Sequence, residues 1–110
     1  DALLAARDLY EYDNAYTAPV HGFASTEDYW LRASAKPGLR AMRHVPALVL
    51  NARNDPFVPA ESLPRPHEVG PAVTLWQPDE GGHVGFPQGR FPGHVADLPR
   101  AVGRWLAQHL

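Results

Sequence analysis

Apolar residues recur with helical spacing at the start of the chain. The pattern over residues 1–11 predicts a helix. Its apolar stripe consists of Leu3, Leu4, Leu9 and Tyr10. The next segment, residues 13–24, contains Pro19 and Gly22, which interrupt regular structure. We therefore expect an irregular connection over 13–24.

A second helix is predicted to begin at Ser25. This serine is placed as the N-cap, with Asp28 at the third helical position, which is a variant of the capping box. Pro37 and Gly38 are expected to end the helix.

The C-terminal residues give the clearest helical pattern. Asp97 is the predicted N-cap, and Pro99 lies in the first turn, where its missing N–H is tolerated. The expected apolar face consists of Leu98, Val102, Trp105 and Leu106.

Two short apolar runs predict strands. Residues 46–52 (PALVLNA) are apolar on both faces, which is typical of a strand buried on both sides of a parallel sheet. Residues 73–76 (VTLW) form the second candidate. Between them, residues 55–71 are expected to contain at most one helical turn, near 60–63. The order of elements predicts part of an α/β fold, with two parallel strands flanked by helices.

Composition narrows the possible functions. The chain has 110 residues, enough for one small domain, and a net charge of -2, which argues against a nucleic-acid partner. The absence of cysteine excludes disulfides, thiolate zinc sites and a cysteine nucleophile. The six histidines are scattered, so neither a metal nor a cofactor is expected. No apolar run is long enough for a membrane span, no signal peptide is recognised, and we expect a cytoplasmic protein.

Two polar residues follow the predicted strands and are candidates for catalysis. Asp55 lies just past the first strand and His83 just past the second. Catalytic groups in open α/β sheets sit beyond the carboxyl ends of the strands, so these side chains are expected to lie together. A carboxylate beside an imidazole fixes its tautomer and stabilises the imidazolium, so the ring can activate a nucleophile. The glycines around His83 let the loop turn sharply: Gly81, Gly82 and Gly85.

Simpler interpretations of the same residues remain open. Asp55 lies in Asn54-Asp55-Pro56, which favours a turn in its own right, and His83 could cap a turn in its loop. Asp79 and Glu80 are rival partners for His83, although solvated loop charges are the simpler reading of them. Three aromatic residues could line an acyl pocket or pack in the core: Phe57, Trp76 and Phe86.

Four segments resemble the YheT-like α/β-hydrolases, bacterial relatives of the eukaryotic α/β-hydrolase-domain lipases. They are YTAPVHGF (16–23), DYWLRAS (28–34), PALVLNARNDPFVP (46–59) and GGHVGF (81–86). The resemblance runs through almost all of the chain but covers only the C-terminal third of such a protein.

The resemblance implies roles for both halves of the chain. Asp55 would be the triad acid and His83 the triad base. Residues 1–45 would form the end of a cap insertion and its return helices, and residues 46–110 the C-terminal α/β part. The sheet would then be incomplete, so self-association, or pairing with a missing N-terminal part, is expected.

The chain departs from the family pattern at the nucleophile. It has no GxSxG elbow, and its serines lack the flanking glycines: Ser25, Ser34 and Ser62. A first residue that is not methionine suggests a fragment or a processed product. We expect the segment to supply the Asp and His of a serine carboxylester hydrolase acting on a small-molecule ester, with the serine elsewhere. The alternatives are an inactive fragment or interaction module and, within enzymes, an acyltransferase or a dehalogenase.

Overall fold

The computed structural model describes residues 2–109. Asp1, where the first predicted helix begins, and Leu110 lie outside the described residues. The chain divides between Gly38 and Leu39 into two compact units.

The first unit consists of short helical segments. They are α1 (Ala2–Ala5), α2 (Leu9–Tyr12), a π-helical turn (Asp13–Thr17), α3 (Ala18–Val20) and α4 (Thr26–Ala33). Its buried residues are Ala18 and Thr26, and the Thr26 hydroxyl donates to the Tyr10 carbonyl oxygen at 3.1 Å. This bond ties α4 to α2.

The prediction of one helix over 1–11 was wrong. The chain leaves the helical conformation after α1 and starts again at α2, because the Asp8 carboxylate accepts from the Glu11 amide and caps the new helix. An ion pair between Arg7 and Glu11 supports the same break. A local side-chain cap therefore overrides the apolar periodicity.

The prediction of an irregular connection over 13–24 was also wrong for most of that segment. Helical structure continues from α2 through the π-helical turn to Val20, and the Ala18 amide donates to the Asp13 carbonyl oxygen. Pro19 lies in the first turn of α3, where it needs no hydrogen-bond acceptor.

The start of α4 agrees with the prediction, whereas its end does not. The Ser25 hydroxyl accepts from the Asp28 amide at 3.2 Å, and the Asp28 carboxylate accepts from the Ala24 amide. The helix ends at Ala33, before Pro37 and Gly38, which lie in a 3₁₀ segment, Lys36–Ala41.

The second unit contains the sheet and the longest helix. Its elements are β1 (Ala47–Leu50), 3₁₀ turns at Ala60–Ser62 and Pro66–Glu68, β2 (Val73–Trp76) and α5 (Asp97–His109). The strands pair in parallel, with Ala47 opposite Val73 and Leu50 opposite Trp76. The turn at Ala60–Ser62 lies where it was predicted, but the expectation of at most one helical turn over 55–71 was wrong, because Pro66 starts a second turn that the Glu68 side chain caps at the Arg65 amide.

The first strand is shorter and less buried than predicted. It spans four residues instead of seven, and all four are half-buried. The expectation of burial on both faces is therefore not met within residues 2–109, because that burial needs elements packed on each side of the sheet. The buried apolar residues of this unit lie in the loops: Ala52, Leu63 and Phe86.

The C-terminal helix agrees with its predicted apolar face, except at Leu106. Asp97 is its first residue instead of its N-cap, and Pro99 lies in the first turn. Leu98, Val102 and Trp105 are half-buried, whereas Leu106 is exposed. Between residues 2 and 109, no helix has the length and apolar character that crossing a membrane requires.

Candidate active site

The loops that follow β1 and β2 run side by side. Parallel pairing continues past the strands, since the Asn51 amide donates to the Trp76 carbonyl oxygen at 3.2 Å and the Arg53 amide to that of Pro78 at 2.8 Å. The carboxyl ends of both strands therefore lead to the same edge of the sheet. Side chains that follow these bonds in the two loops are therefore close to each other, although they are far apart in the sequence.

Asp55 uses its two carboxylate oxygens for different tasks. Oδ1 accepts from the backbone amides of Phe57 at 2.8 Å and Val58 at 3.2 Å, which closes a turn and orients the carboxylate. Oδ2 lies 2.9 Å from Nδ1 of His83. The structure thus brings the two candidate residues together, with the Asp55 side chain 3% exposed and that of His83 50% exposed.

The hydrogen bonds of Asp55 determine its charge. Burial raises the pKa of the Asp55 carboxyl, but the bonds from the Phe57 amide, the His83 ring and the Val58 amide together lower that pKa below its ordinary value. The carboxylate is therefore ionised near neutral pH and can only accept, so Nδ1 of His83 donates. When the ring is neutral, its lone pair then lies on Nε2, which has no hydrogen-bond partner in residues 2–109. This tautomer can take a proton from a nucleophile.

Two glycines let the loop carry His83 to Asp55. Gly82 has φ +64°, a left-handed conformation that costs other residues energy. Gly81 lies against the ring of Phe86, where an added Cβ would come within 2.4 Å of Phe86 Cδ1. The Phe86 amide donates to the Gly81 carbonyl oxygen at 2.8 Å and closes the loop.

Asn54 also contacts the loop that carries His83, and sequence reasoning missed this. Its side-chain oxygen accepts from the backbone amides of Gly81 at 3.0 Å and Gly82 at 2.9 Å. In the sequence, Asn54 indicated only a turn beside Asp55. The one signal in the sequence for a role of Asn54 is that a polar side chain directly precedes the candidate acid Asp55.

The three aromatic candidates occupy different surroundings. The Phe57 ring is 74% exposed and meets the His83 ring edge-on, with centroids 5.1 Å apart. Phe86 is buried and packs within its own loop. Trp76 and Phe86 line a groove of about 460 Å³ beside α5, and neither Asp55 nor His83 is among its lining residues.

The rival acids do not contact His83. The side chain of Asp79 is 93% exposed and lies 3.7 Å from Nε of Arg53, and Glu80 is also exposed. Over residues 2–109, no group of three or more metal-ligating side chains could hold a metal ion.

Comparisons with curated proteins find relatives over nearly the whole chain. The Escherichia coli protein YheT, which is named as an esterase, is 33% identical over 108 residues, 98% of this chain and 32% of its own length. Human phospholipase ABHD3 is 32% identical over 107 residues, 96% of this chain and 26% of its own length. The chain matches a segment of the YheT-like α/β-hydrolases. The resemblance seen in the sequence is therefore confirmed.

A third relative of this α/β-hydrolase segment matches over a shorter stretch. The medium-chain fatty acid ethyl ester synthase/esterase 2 of Saccharomyces cerevisiae is 36% identical over 76 residues, 69% of this chain and 17% of its own length. The chain thus spans about a third or less of these relatives. Neither a protein-family model nor a solved structure gives a significant match.

Proposed function

We propose that this segment supplies the acid and the base of a Ser-His-Asp triad in a hydrolase of carboxylic esters, with the nucleophilic serine outside residues 1–110. The supporting observation is the 2.9 Å hydrogen bond between a buried Asp55 carboxylate and a half-exposed His83 ring. The names of the relatives, esterase, phospholipase and ethyl ester synthase/esterase, all refer to ester bonds.

The proposed mechanism uses His83 first as a base and then as an acid. Nε2 takes the serine proton as the serine oxygen attacks the ester carbonyl carbon. Asp55 holds Nδ1 and stabilises the imidazolium that forms. Nε2 then protonates the departing alkoxide, which leaves an acyl-serine. Water attacks that acyl group with Nε2 again as base, and the acid product leaves as the serine recovers its proton.

The proposal also assigns roles to the two parts of the segment. Residues 1–45 form the end of a cap insertion with its return helices, and residues 46–110 form the C-terminal part of the α/β-hydrolase sheet. The half-buried faces of β1 support this assignment, because an apolar strand of this composition is buried on both sides in a complete parallel sheet.

Labelling of the serine tests the proposal directly. A fluorophosphonate reacts with an activated serine by forming a phosphorus–oxygen bond and releasing fluoride. The full-length protein that carries this segment is expected to be labelled and to hydrolyse p-nitrophenyl acyl esters. His83→Ala is expected to lose both reactions, and the isolated chain of 110 residues is expected to show neither.

A second histidine provides the matched control. His67 is an exposed histidine in the 3₁₀ turn Pro66–Glu68, so His67→Ala should retain labelling and hydrolysis. Full activity of His83→Ala would overturn the proposal and favour an interaction module without catalysis. Hydrolysis by the isolated chain that depends on His83 would place the nucleophile within these residues.

A further inference from the structure

The residue before the proposed acid contacts the residues before the proposed base. The side-chain oxygen of Asn54 accepts two backbone hydrogen bonds, from Gly81 at 3.0 Å and from Gly82 at 2.9 Å. Asp55 binds the ring of His83 itself. Asn54 therefore holds the backbone of the loop that carries His83, and the adjacent Asp55 holds the imidazole of His83 itself.

The Asn54 side chain is not needed for its own turn. The amides of that turn, from Phe57 and Val58, already donate to Oδ1 of Asp55. The two hydrogen bonds that the Asn54 side-chain oxygen accepts come from residues 27 and 28 positions away. The side-chain oxygen of Asn54 therefore binds the loop that carries His83 and not its own turn.

Two donors on one oxygen restrict the loop more than one would. A single hydrogen bond fixes a distance but allows the peptide to pivot, whereas consecutive amides aimed at the same acceptor also fix the orientation of the peptide plane between them. The carbonyl oxygen of Gly81 is held from the other side by the Phe86 amide at 2.8 Å. The backbone leading into His83 is thereby fixed at both its N–H and C=O groups.

We propose that Asn54 is a positioning residue, which sets the backbone of Gly81 and Gly82 so that the His83 ring meets Asp55. The effect on kcat rests on the proposed function, because the position of the His83 ring affects the rate only if His83 acts in a catalytic triad. A displacement of about 1 Å in a catalytic group can cost about 100-fold in rate.

Four variants of the full-length protein test this role. Asn54→Ala removes the acceptor, and Asn54→Gln moves it by about one bond length (roughly 1.5 Å). Asn54→Asp keeps an oxygen in place, and an ionised acceptor binds amides at least as strongly. Asn51→Ala is the control, since Asn51 lies in the same loop and only its backbone amide has a described bond.

The kinetic readout is the division between kcat and KM on a p-nitrophenyl acyl ester. Asn54→Ala and Asn54→Gln are expected to lower kcat by about 10- to 100-fold with KM nearly unchanged, because the loss lies in positioning. Asn54→Asp and Asn51→Ala are expected to stay within about fivefold of the wild-type kcat. Equal losses in Asn54→Asp and Asn54→Gln would overturn the proposal, as would a wild-type kcat in Asn54→Gln.

A spectroscopic readout separates this proposal from the proposed function. Nitrogen-15 NMR of histidine distinguishes a ring protonated at Nδ1 from one protonated at Nε2. Wild type and Asn54→Asp are expected to show the Nδ1–H form at His83, and Asn54→Gln a mixture of both forms. This result needs no turnover, so it tests Asn54 even if His83→Ala proves fully active. A pure Nδ1–H signal in Asn54→Gln would contradict the positioning role.

Discussion

The Phe86 ring lies so close to Gly81 that no side chain fits between them. A Cβ on Gly81 would come within 2.4 Å of Phe86 Cδ1 and 2.9 Å of the Ala52 Cβ. Phe86 and Ala52 are both buried, so neither can move aside freely. The shape of the loop that carries His83 therefore depends on a gap too narrow for a methyl group.

Alanine is expected to destabilise the protein at two glycines of this loop, for different reasons, and to be nearly neutral at the third. Gly81→Ala should destabilise the protein by about 1–3 kcal/mol through overpacking. Gly82→Ala meets no atom within 4 Å but imposes a left-handed conformation on alanine, which costs about 1–2 kcal/mol. Gly85→Ala has only an ordinary contact with Pro87, at 3.6 Å, and should change stability by less than about 0.5 kcal/mol. Chemical denaturation measures all three, and a neutral Gly81→Ala would contradict the packing described here.

Asparagine at position 55 is expected to impair catalysis severely in the full-length protein. Asp55→Asn keeps the shape of the side chain but removes the charge that stabilises the imidazolium, and kcat should fall by up to about 10⁴-fold. Asp79→Asn is the control, since that carboxylate is exposed and does not contact His83. Near-normal rates in Asp55→Asn, measured on a short acyl ester, would show that another group orients the ring.

The contribution of Asp55 to stability is expected to depend on pH. The pKa of its carboxyl is lowered in the folded state, so its ionised form stabilises the protein above the unfolded value of about 3.9. That contribution is lost as pH falls through the folded pKa. The free energy of unfolding of wild type relative to Asp55→Asn should therefore decrease as the pH falls from about 5 through the lowered pKa of Asp55. Denaturation of both proteins at several pH values measures this, and a difference that grows with acidity would have the wrong sign.

The isolated chain is expected to associate through the free edge of β1. The backbone amides of Ala47 and Asn51 donate to carbonyl oxygens of Ala72 and Trp76 on the β2 side. Because backbone amides along a strand alternate in direction, the Leu48 amide points away from β2. The edge it faces has no partner strand in residues 2–109. A two-fold dimer would pair this edge with its copy, antiparallel across the axis. Light scattering with size exclusion should give about twice the monomer mass of 12.1 kDa.

A proline at the edge tests that mode of association. Leu48→Pro removes one outward N–H while leaving the ladder to β2 intact, and it should shift the chain toward monomer. A folded wild-type monomer at high dilution would contradict pairing through this edge.

The sequence was most informative where local chemistry decides the structure. Val73–Trp76 was predicted with its observed bounds, and Ser25 caps its helix as expected. The break before Leu9 was not predicted, because the cap at Asp8 competes with an apolar stripe that looks continuous. The exposure of β1 could not be read from its composition, since burial is set by what packs on the sheet.

The meeting of Asp55 and His83 follows from topology, whereas the details around it do not. Parallel strands bring their carboxyl ends to one edge, so residues 28 positions apart become neighbours. The bonds that Asn54 accepts from Gly81 and Gly82, and the positive φ of Phe86, +44°, depend on how closely two loops approach. No spacing along the chain encodes that approach.

The proposed acid and the proposed base lie on opposite sides of an exposed turn in the sequence. Asp55 lies five positions after Leu50 and His83 seven after Trp76, so their distance is set by the pairing of β1 with β2. The exposed turn at Ala60–Ser62 lies between them. Cutting the polypeptide at this turn would give two fragments with one member of the pair each. Their reassembly would restore the hydrogen bond between Asp55 and His83, which makes this segment suitable for a split-protein sensor of strand pairing.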